Sequence, residues 1–529
     1  MNTSMQNKPS APYADLESAI TGYLAGSLNS NQLKPVLAPS GIYEQRNAQF
    51  MLRVRITGGH LESSTLRSLA DVMEHNSIPS CHLSSRQAIQ LHDVAVEKII
   101  STMIECQAIG LPFKGGGGNT YRNILISPDS GLAVDEAFDV LPYAIAIHHA
   151  LANRPEAFLL PRKFKVGVFS KPSEAFLAAA QDLGFLAVTR DGERGFTVYG
   201  GGGMGRESGV GIKLFDFLPH AQFLRCTLAM LHLFSDQGDR VNRHQARLRY
   251  VLKRQGSENF ARLFNIYFEK TLWEPPVLHP ATDYGIPARQ RTALHAGQTP
   301  LAGYETWKCH AVEPTQLGVD QVMARLYVPY GNLTPDQCRQ IAALADDFGG
   351  GFLRLMRSQD VLLGPVSATS LPALYNRLFT DFRELDLTLR SFRGHITTCV
   401  GSSVCKIGVL SAPVLADAIA DRLDPLLPAD TPEKLKMLRQ ITNDILISGC
   451  PNSCSGHPTA WLGFQGLKQR VGDRVEDAVL PFTGRSLKPD ALRLATHHES
   501  TPAIPVAHLP DFVAEALGVL TTQRSSLQH

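Results

Sequence analysis

Four cysteines, Cys399, Cys405, Cys450 and Cys454, stand in two tight pairs within TTCVGSSVCKIG and ISGCPNSCSGH. The spacings are C-x5-C and C-x3-C, with 44 residues between the pairs. Four thiolates are what a [4Fe-4S] cluster requires of a protein. Gly401, Gly449, Pro451 and Asn452 allow tight turns that aim backbone amides at sulfur, and such hydrogen bonds tune a cluster's potential. A structural zinc is the first rival, although its paired cysteines are usually closer than C-x5-C. Two unrelated pairs are the second. Cys81, Cys106, Cys226, Cys309 and Cys338 are scattered and read as ordinary small core or surface residues.

A second group is basic. In LPRKFKVGV, read as a strand, Lys163 and Lys165 fall on one face while Phe164, Val166 and Val168 fall on the other. Two ammonium groups aimed at one point repel unless an anion sits between them. Lysine can also give up a proton and recover it. A third group is the polar face of CHLSSRQAIQLHD. Read as one strand, this segment puts His82, Ser84, Arg86, Ala88, Gln90 and His92 on one side, and Leu83, Ile89 and Leu91 on the other. That pattern suits a strand packed on a core while lining a ligand; a solvent-facing strand is the plain alternative.

The elements that must position these groups come in two copies. MLRVRITGGHLESSTLRSLADVM from Met51 aligns with MARLYVPYGNLTPDQCRQIAALA from Met323 at an offset of 272 residues. The offset pairs Arg53 with Arg325, Gly59 with Gly331, Leu61 with Leu333 and Arg67 with Arg339. It also pairs Leu83 with Leu355 and Gln87 with Gln359. Each copy reads as strand, glycine turn, helix, strand. Ser63 or Thr334 starts the helix, and Leu66, Leu69 and Ala70 recur at helical spacing. Chance similarity of two βαβ units is the alternative. In the second copy Arg354, Met356, Ser358, Asp360, Leu362 and Gly364 replace the polar face, so the first copy serves a ligand and the second serves the fold.

TCVGSSVC and GCPNSC resemble the cysteine motifs of the sirohaem-dependent sulfite and nitrite reductase family, and the resemblance runs from about residue 40 to about residue 480. With the repeat, which already suggests a pseudo-two-fold α+β protein, and a polar N-terminal segment (1–40) that reads as a mobile arm or a wrapping segment, it implies ferredoxin-like half-domains (41–110 and 306–390) and larger sirohaem- and cluster-binding lobes (111–305 and 391–529). It implies that all four cysteines hold the cluster and that Cys454 also bridges to the sirohaem iron. It makes Arg53, Arg122, Lys163 and Lys165 a cage for a small anion, sulfite before nitrite. Arginine would fork onto the anion's oxygens, and the lysines would supply protons.

Sirohaem carries eight carboxylates. By family position His82, Ser84, Arg86, Gln90, His92, Asn123 and Arg162 contact the cofactor, with Gly201 and Gly202 in a glycine-rich loop beside it. His82 stands where the family usually has arginine. In the family a second lysine leans toward sulfite, and many nitrite reductases have asparagine there. Electrons would come from a separate ferredoxin or flavoprotein subunit. A cobalamin-pathway oxygenase of related fold and a non-catalytic zinc protein are the other classes; the intact basic cage argues against the first.

Bulk properties exclude more than they choose. The chain of 529 residues is 44% hydrophobic and 19% charged, ordinary for a globular protein of several domains. A net charge of +2 gives no reason to expect nucleic acid or an anionic membrane. FLRCTLAMLHLF is short and broken by Arg225, so no span is expected. The start, MNTSMQNKPSAPYAD, lacks the pattern of a secretory signal, so a cytoplasmic, disulfide-free protein is expected. Gly115–Gly118 and Gly200–Gly203 are loops or close backbone approaches; GGGGMGRES lacks the GK[ST] ending of a P-loop.

Overall fold

Each repeated segment forms four antiparallel strands and borrows its fifth from the other copy. In the first sheet the order is Ile42–Glu44, Phe50–Val54, Ile89–Val94, Ser80–Leu83 and then Asn332–Leu333 of the second copy. In the second it is Val312–Pro314, Gln321–Leu326, Val361–Ser367, Phe352–Leu355 and then His60–Glu62 of the first copy. The exchange is symmetric in register: Asn332 lies opposite His82, and His60 opposite Arg354. The computed structural model describes residues 13–519 except 276–277, 279–296, 383–390, 427–430, 432–443 and 489–490.

The helices Ser63–His75 and Pro335–Phe348 pack against each other, and a single apolar core runs through both copies. Leu66, Leu69 and Ala70 meet that core beside Ile341, Ala342 and Ala345. Each large aliphatic side chain so buried contributes about 1.5–3 kcal/mol. Thr334 caps its helix with a capping box: Gln337 N donates to Thr334 Oγ1 at 3.3 Å, and Thr334 N donates to Gln337 Oε1 at 2.8 Å. Ser63 is instead the first helical residue, and its hydroxyl donates to Asp346 on the facing helix. Cys81 and Cys338, read from sequence as scattered residues, meet across the copies with their Sγ atoms 3.6 Å apart and are buried.

The two-fold relation extends to the lobes. The first lobe's sheet runs Leu125–Ile126, Val166–Phe169, Leu183–Arg190, Glu193–Gly200, Ile212–Pro219. The second runs Ile396–Thr398, Ile445–Ser448, Leu462–Val471, Arg474–Phe482, Ile504–Pro505. Both sheets pair parallel, parallel, antiparallel, antiparallel in that order. The fold is therefore α+β and repeated.

Two local expectations change, and the N-terminal segment takes the wrapping form. The polar segment 81–93 is not one strand: Ser80–Leu83 and Ile89–Val94 form an antiparallel hairpin whose turn closes through Ser84 N to Ala88 O at 2.8 Å. The regular strand after the lysines starts only at Val166, with Phe164 in an isolated bridge to Tyr121. The described part of the N-terminal arm holds two helices, Ala14–Leu24 and Ser30–Leu37, which bury Ile20, Leu33 and Leu37 against the first copy. Among the described residues no helix is long and apolar enough to cross a membrane; the apolar stretch 223–234 lies in a helix of the first lobe's core.

Candidate functional site

The hairpin keeps part of the expected polar face, because directly opposed residues of antiparallel strands share a side. Arg53 lies opposite Gln90, Gln90 opposite His82, and His82 opposite Asn332, making one row across the first sheet. His92 lies opposite Ser80, and its ring is 5.6 Å from that of His82. Both histidines are buried; burial first, then nearby cations, pushes His82 down to about 4 and His92 to about 3. Neutral His82 donates from Nδ1 to Asn332 Oδ1 at 3.0 Å and accepts at Nε2 from Gln359 Nε2 at 3.0 Å. Both partners belong to the second copy, so the ring nitrogens of His82 join the halves.

The turn places the other predicted contacts differently. Ser84 Oγ accepts from Ala88 N at 3.1 Å within the turn. Asn123 Nδ2 donates to the carbonyls of Ile56, Arg86 and Gln87 at 2.6–3.0 Å, clamping the turn, while its Oδ1 is buried without a partner. Arg86 donates from Nη1 to Gln181 Oε1 at 2.9 Å and from Nη2 to Val166 O at 2.7 Å. Burial lowers its proton affinity to about 9, and its Nε has no partner.

The anion-cage candidates come together above this row. Gly115–Gly118 wraps Arg122, whose Nη1 donates to Gly117 O and whose Nη2 donates to Gly118 O at 2.8 Å. Arg53 Nη1 donates to Gly116 O at 2.8 Å. A side chain on Gly117 would bring its Cβ within 2.2 Å of Ala38 O, so this close backbone approach requires glycine. Burial, with neighbouring cations adding, pushes Arg122 down to about 9 and half-buried Lys163 to about 7. Lys165 is held well below its ordinary value by burial, then by Lys163, Arg86 and Arg247. Arg162 is lowered in the same way and donates to Asn119 Oδ1 at 3.4 Å.

Sequence reasoning missed three members of this group: Arg247, Arg249 and Asp182. Arg247 is buried and pairs with buried Asp182 through Nη2 at 2.9 and 3.1 Å. Arg249 packs beside it and is also lowered, first by burial. The Nε atoms of Arg86, Arg247 and Arg249, and Nη1 of Arg249, are buried without hydrogen-bond partners. Buried polar groups normally have partners, so a mainly cationic cluster with orphaned guanidinium donors fits a polyanionic ligand. The second glycine run packs against it: a Cβ on Gly203 would lie 2.7 Å from Arg247 Nη2. Gly201 and Gly202 instead back onto protein, where a Cβ would meet Leu252 at 2.9 Å and Ala179 O at 2.1 Å respectively.

The second lobe brings Cys454 to this cationic cluster. Ser85 Oγ, at the hairpin turn, donates to Cys454 O at 2.9 Å, and the Cys454 thiol acts electrostatically on Lys163. Arg46 ties down the other cysteine loop, donating from N to Val404 O at 3.0 Å and from Nη2 to Gly408 O at 2.9 Å. Gly449 N donates to Cys399 Sγ at 3.2 Å, and Asn452 Nδ2 to Cys450 Sγ at 3.6 Å. Backbone amides of Ile407 and Gly408 act on Cys405. Such donors favour thiolate and suit a bound cluster. Burial, with Cys454 adding, pushes Cys399 up to about 12 and raises Cys405 and Cys450; three thiolates here need positive charge between them. Among the described residues no three Cys, His, Asp or Glu converge on a single metal ion.

Comparison with known proteins places this geometry. Residues 43–109 and 315–378 match the nitrite/sulfite reductase ferredoxin-like half domain, once for each copy of the repeat. Residues 117–272 match the nitrite and sulphite reductase 4Fe-4S domain. Together these cover more than half of the chain. The second match contains Arg122, Lys163 and Lys165; the cysteine quartet lies beyond it, in the lobe whose sheet has the same strand order. The chain is 29% identical over 452 residues to a ferredoxin–nitrite reductase of Synechococcus elongatus, covering 84% of this chain and 81% of that protein. It is 26% identical over 431 residues to a sulfite reductase [ferredoxin] of Mycolicibacterium paratuberculosis, covering 80% and 71%. The solved structure of the Mycobacterium tuberculosis NirA protein superposes with a TM-score of 0.76 at 20% identity, covering 99% of this chain and 95% of that one.

Proposed function

Since the chain belongs to the nitrite and sulfite reductase family, which couples a [4Fe-4S] cluster to sirohaem, we propose that it reduces sulfite to sulfide by six electrons, in the cytoplasm, with a separate ferredoxin or flavoprotein as donor. The observation that carries this reading is the pair Lys163 and Lys165 beside Arg122 and Arg247, facing Cys454. Sulfite carries more negative charge than nitrite, and a second lysine offsets it. Nitrite is the second reading, favoured by the likeness to a ferredoxin–nitrite reductase.

When bound, sirohaem supplies the iron that receives the anion, and the cluster supplies electrons to it. Cys399, Cys405, Cys450 and Cys454 would hold the cluster. Arg53 and Arg122 orient the anion's oxygens and offset its charge. Lys163 and Lys165 hand over protons as oxygen leaves as water; a lysine near 7 can hold and release one at neutral pH. Arg86, Arg162, Gln90 and His92 would meet the cofactor's carboxylates and polar rim.

The test is the visible spectrum and iron content of protein purified anaerobically from a host that makes sirohaem, followed by turnover with reduced viologen. A Soret band, with sulfite turned over faster than nitrite, is expected. Lys165→Asn should lower sulfite turnover about tenfold more than nitrite turnover. Equal effects on both anions would remove the sulfite assignment, and a colourless protein would remove the reductase reading.

A further inference from the structure

Lys165 lies just before its strand begins, where sheet hydrogen bonds hold only one side of it. Leu183 N donates to Lys165 O at 3.2 Å, as a sheet neighbour would. The Lys165 N–H goes elsewhere: it donates to the side chain of Asp182, at Oδ2, 2.9 Å away. The same carboxylate takes Arg247 Nη2 on both oxygens, at 2.9 and 3.1 Å, and is fully buried. The Asp182 backbone carbonyl in turn accepts from Gly201 N at 2.9 Å, fixing the glycine loop that packs on Arg247. Asp182 is also the carboxylate that offsets charge on Lys165, Arg86 and Arg249.

We propose that Asp182 is a positioning residue for the anion cage, its carboxylate tying the Lys165 backbone and the Arg247 guanidinium together so that both cations face one point. This rests on the cage reading above. The geometry separates positioning from simple charge. A carboxylate acting only as negative charge opposes anion binding, so its removal tightens the anion. A carboxylate acting as anchor loses its hold when converted to an amide. In Asp182→Asn the amide nitrogen faces Arg247 Nη2 if it takes the Oδ1 place, and both Lys165 N and Arg247 Nη2 if it takes the Oδ2 place. Either way the two-oxygen hold on Arg247 and the carboxylate's charge are lost, and the anchor that sets the two cations loosens.

The experiment titrates sulfite and nitrite into the oxidised holoprotein and follows the Soret band, without turnover. Asp182→Asn should keep the Soret band and weaken anion binding about tenfold or more, because small misplacements of a cage are costly. Arg247→Lys leaves Asp182 in place, keeps the charge and loses the two-oxygen fork, so it should weaken binding in the same direction by less. Unchanged or tighter anion binding in a sirohaem-loaded Asp182→Asn protein would overturn the proposal. Should that variant fail to fold or load, unchanged binding in Arg247→Lys overturns it instead. If the wild-type protein itself carries no sirohaem, it is the functional reading that fails.

Discussion

Arg53 and Arg325 occupy equivalent strands of the two copies, yet they meet opposite neighbours. Arg325 Nε donates to Asp360 Oδ2 at 3.0 Å, its guanidinium packs on Tyr327 at 4.4 Å, and Asp360 also accepts from Val328 N at 3.0 Å. The residue equivalent to Asp360 in the first copy is Ala88. Arg53 therefore has a neutral carbonyl, Gly116 O, as its partner and keeps its charge for a ligand. Lys165 repeats the contrast. It stands before the strand Val166–Phe169, while Asp444 stands before the matching strand Ile445–Ser448 and pairs with Arg485 at 2.8 Å. Duplicating a fold thus duplicates positions but not chemistry. Between the two half-domains, the copy that compensates its own charge becomes scaffold, and the copy that leaves it uncompensated becomes part of the site.

The sharpest way to break that contrast is at the thiols that the second lobe presents to the first. Cys454→Ser should remove cluster iron and essentially all turnover, a loss of about 100-fold or more, checked by iron and labile sulfide analysis beside the viologen assay. Next comes the scaffold copy. Asp360→Ala removes the buried carboxylate paired with Arg325, and breaking such a pair costs about 3–5 kcal/mol. Denaturant unfolding should show that loss while anion affinity stays at the wild-type value; a loss of affinity instead would mean that the copies are not divided as described.

His82 offers a pH test of the seam between them. The unfolded ring takes a proton below about 6.5, but the folded ring, buried and already bonded to Asn332 and Gln359, takes one only below about 4. Between these values the unfolded state binds more protons, so stability falls as pH drops from about 6.5 to about 4 and this contribution flattens below. The change is roughly 3 kcal/mol across the window. His82→Gln should reduce the slope of that part of the stability profile, the buried rings of His92, His148 and His457 supplying the rest, and an unchanged slope would show that the ring is charged in the fold. The smallest effect imports the scaffold's device into the site: Ala88→Asp should pair with Arg53 and weaken sulfite binding about tenfold, read by Soret titration.

Legibility followed local pattern. The repeat, the helices at Ser63 and Pro335 and the cysteine loops all announced themselves through spacing, because periodicity and turn residues act over a few positions. The hairpin at 84–88 did not. Its polar alternation runs straight through the turn, and the left-handed position falls on Gln87, φ 54°, with no glycine to mark it. Arg247, Arg249 and Asp182 were passed over for a different reason: isolated charges in a sequence are usually solvated. Nothing local tells that the loop 239–247 folds under the glycine run and carries Arg247 to the buried carboxylate of Asp182.

By itself the sequence determined which residue types were available: four cysteines in two pairs, two lysines flanking Phe164, and a duplicated strand–helix unit with unequal polar faces. Those follow from composition and short-range periodicity, which survive without contacts. Which charges are compensated depends on contacts made in the folded chain. Pairing Arg325 with Asp360, exchanging the strands at His60 and Asn332, and setting Ser85 against Cys454 O all join residues far apart in the chain. Electrostatic energy depends on distance and burial rather than on order along the chain. The same residue, arginine, is therefore glue in one half and a candidate ligand in the other.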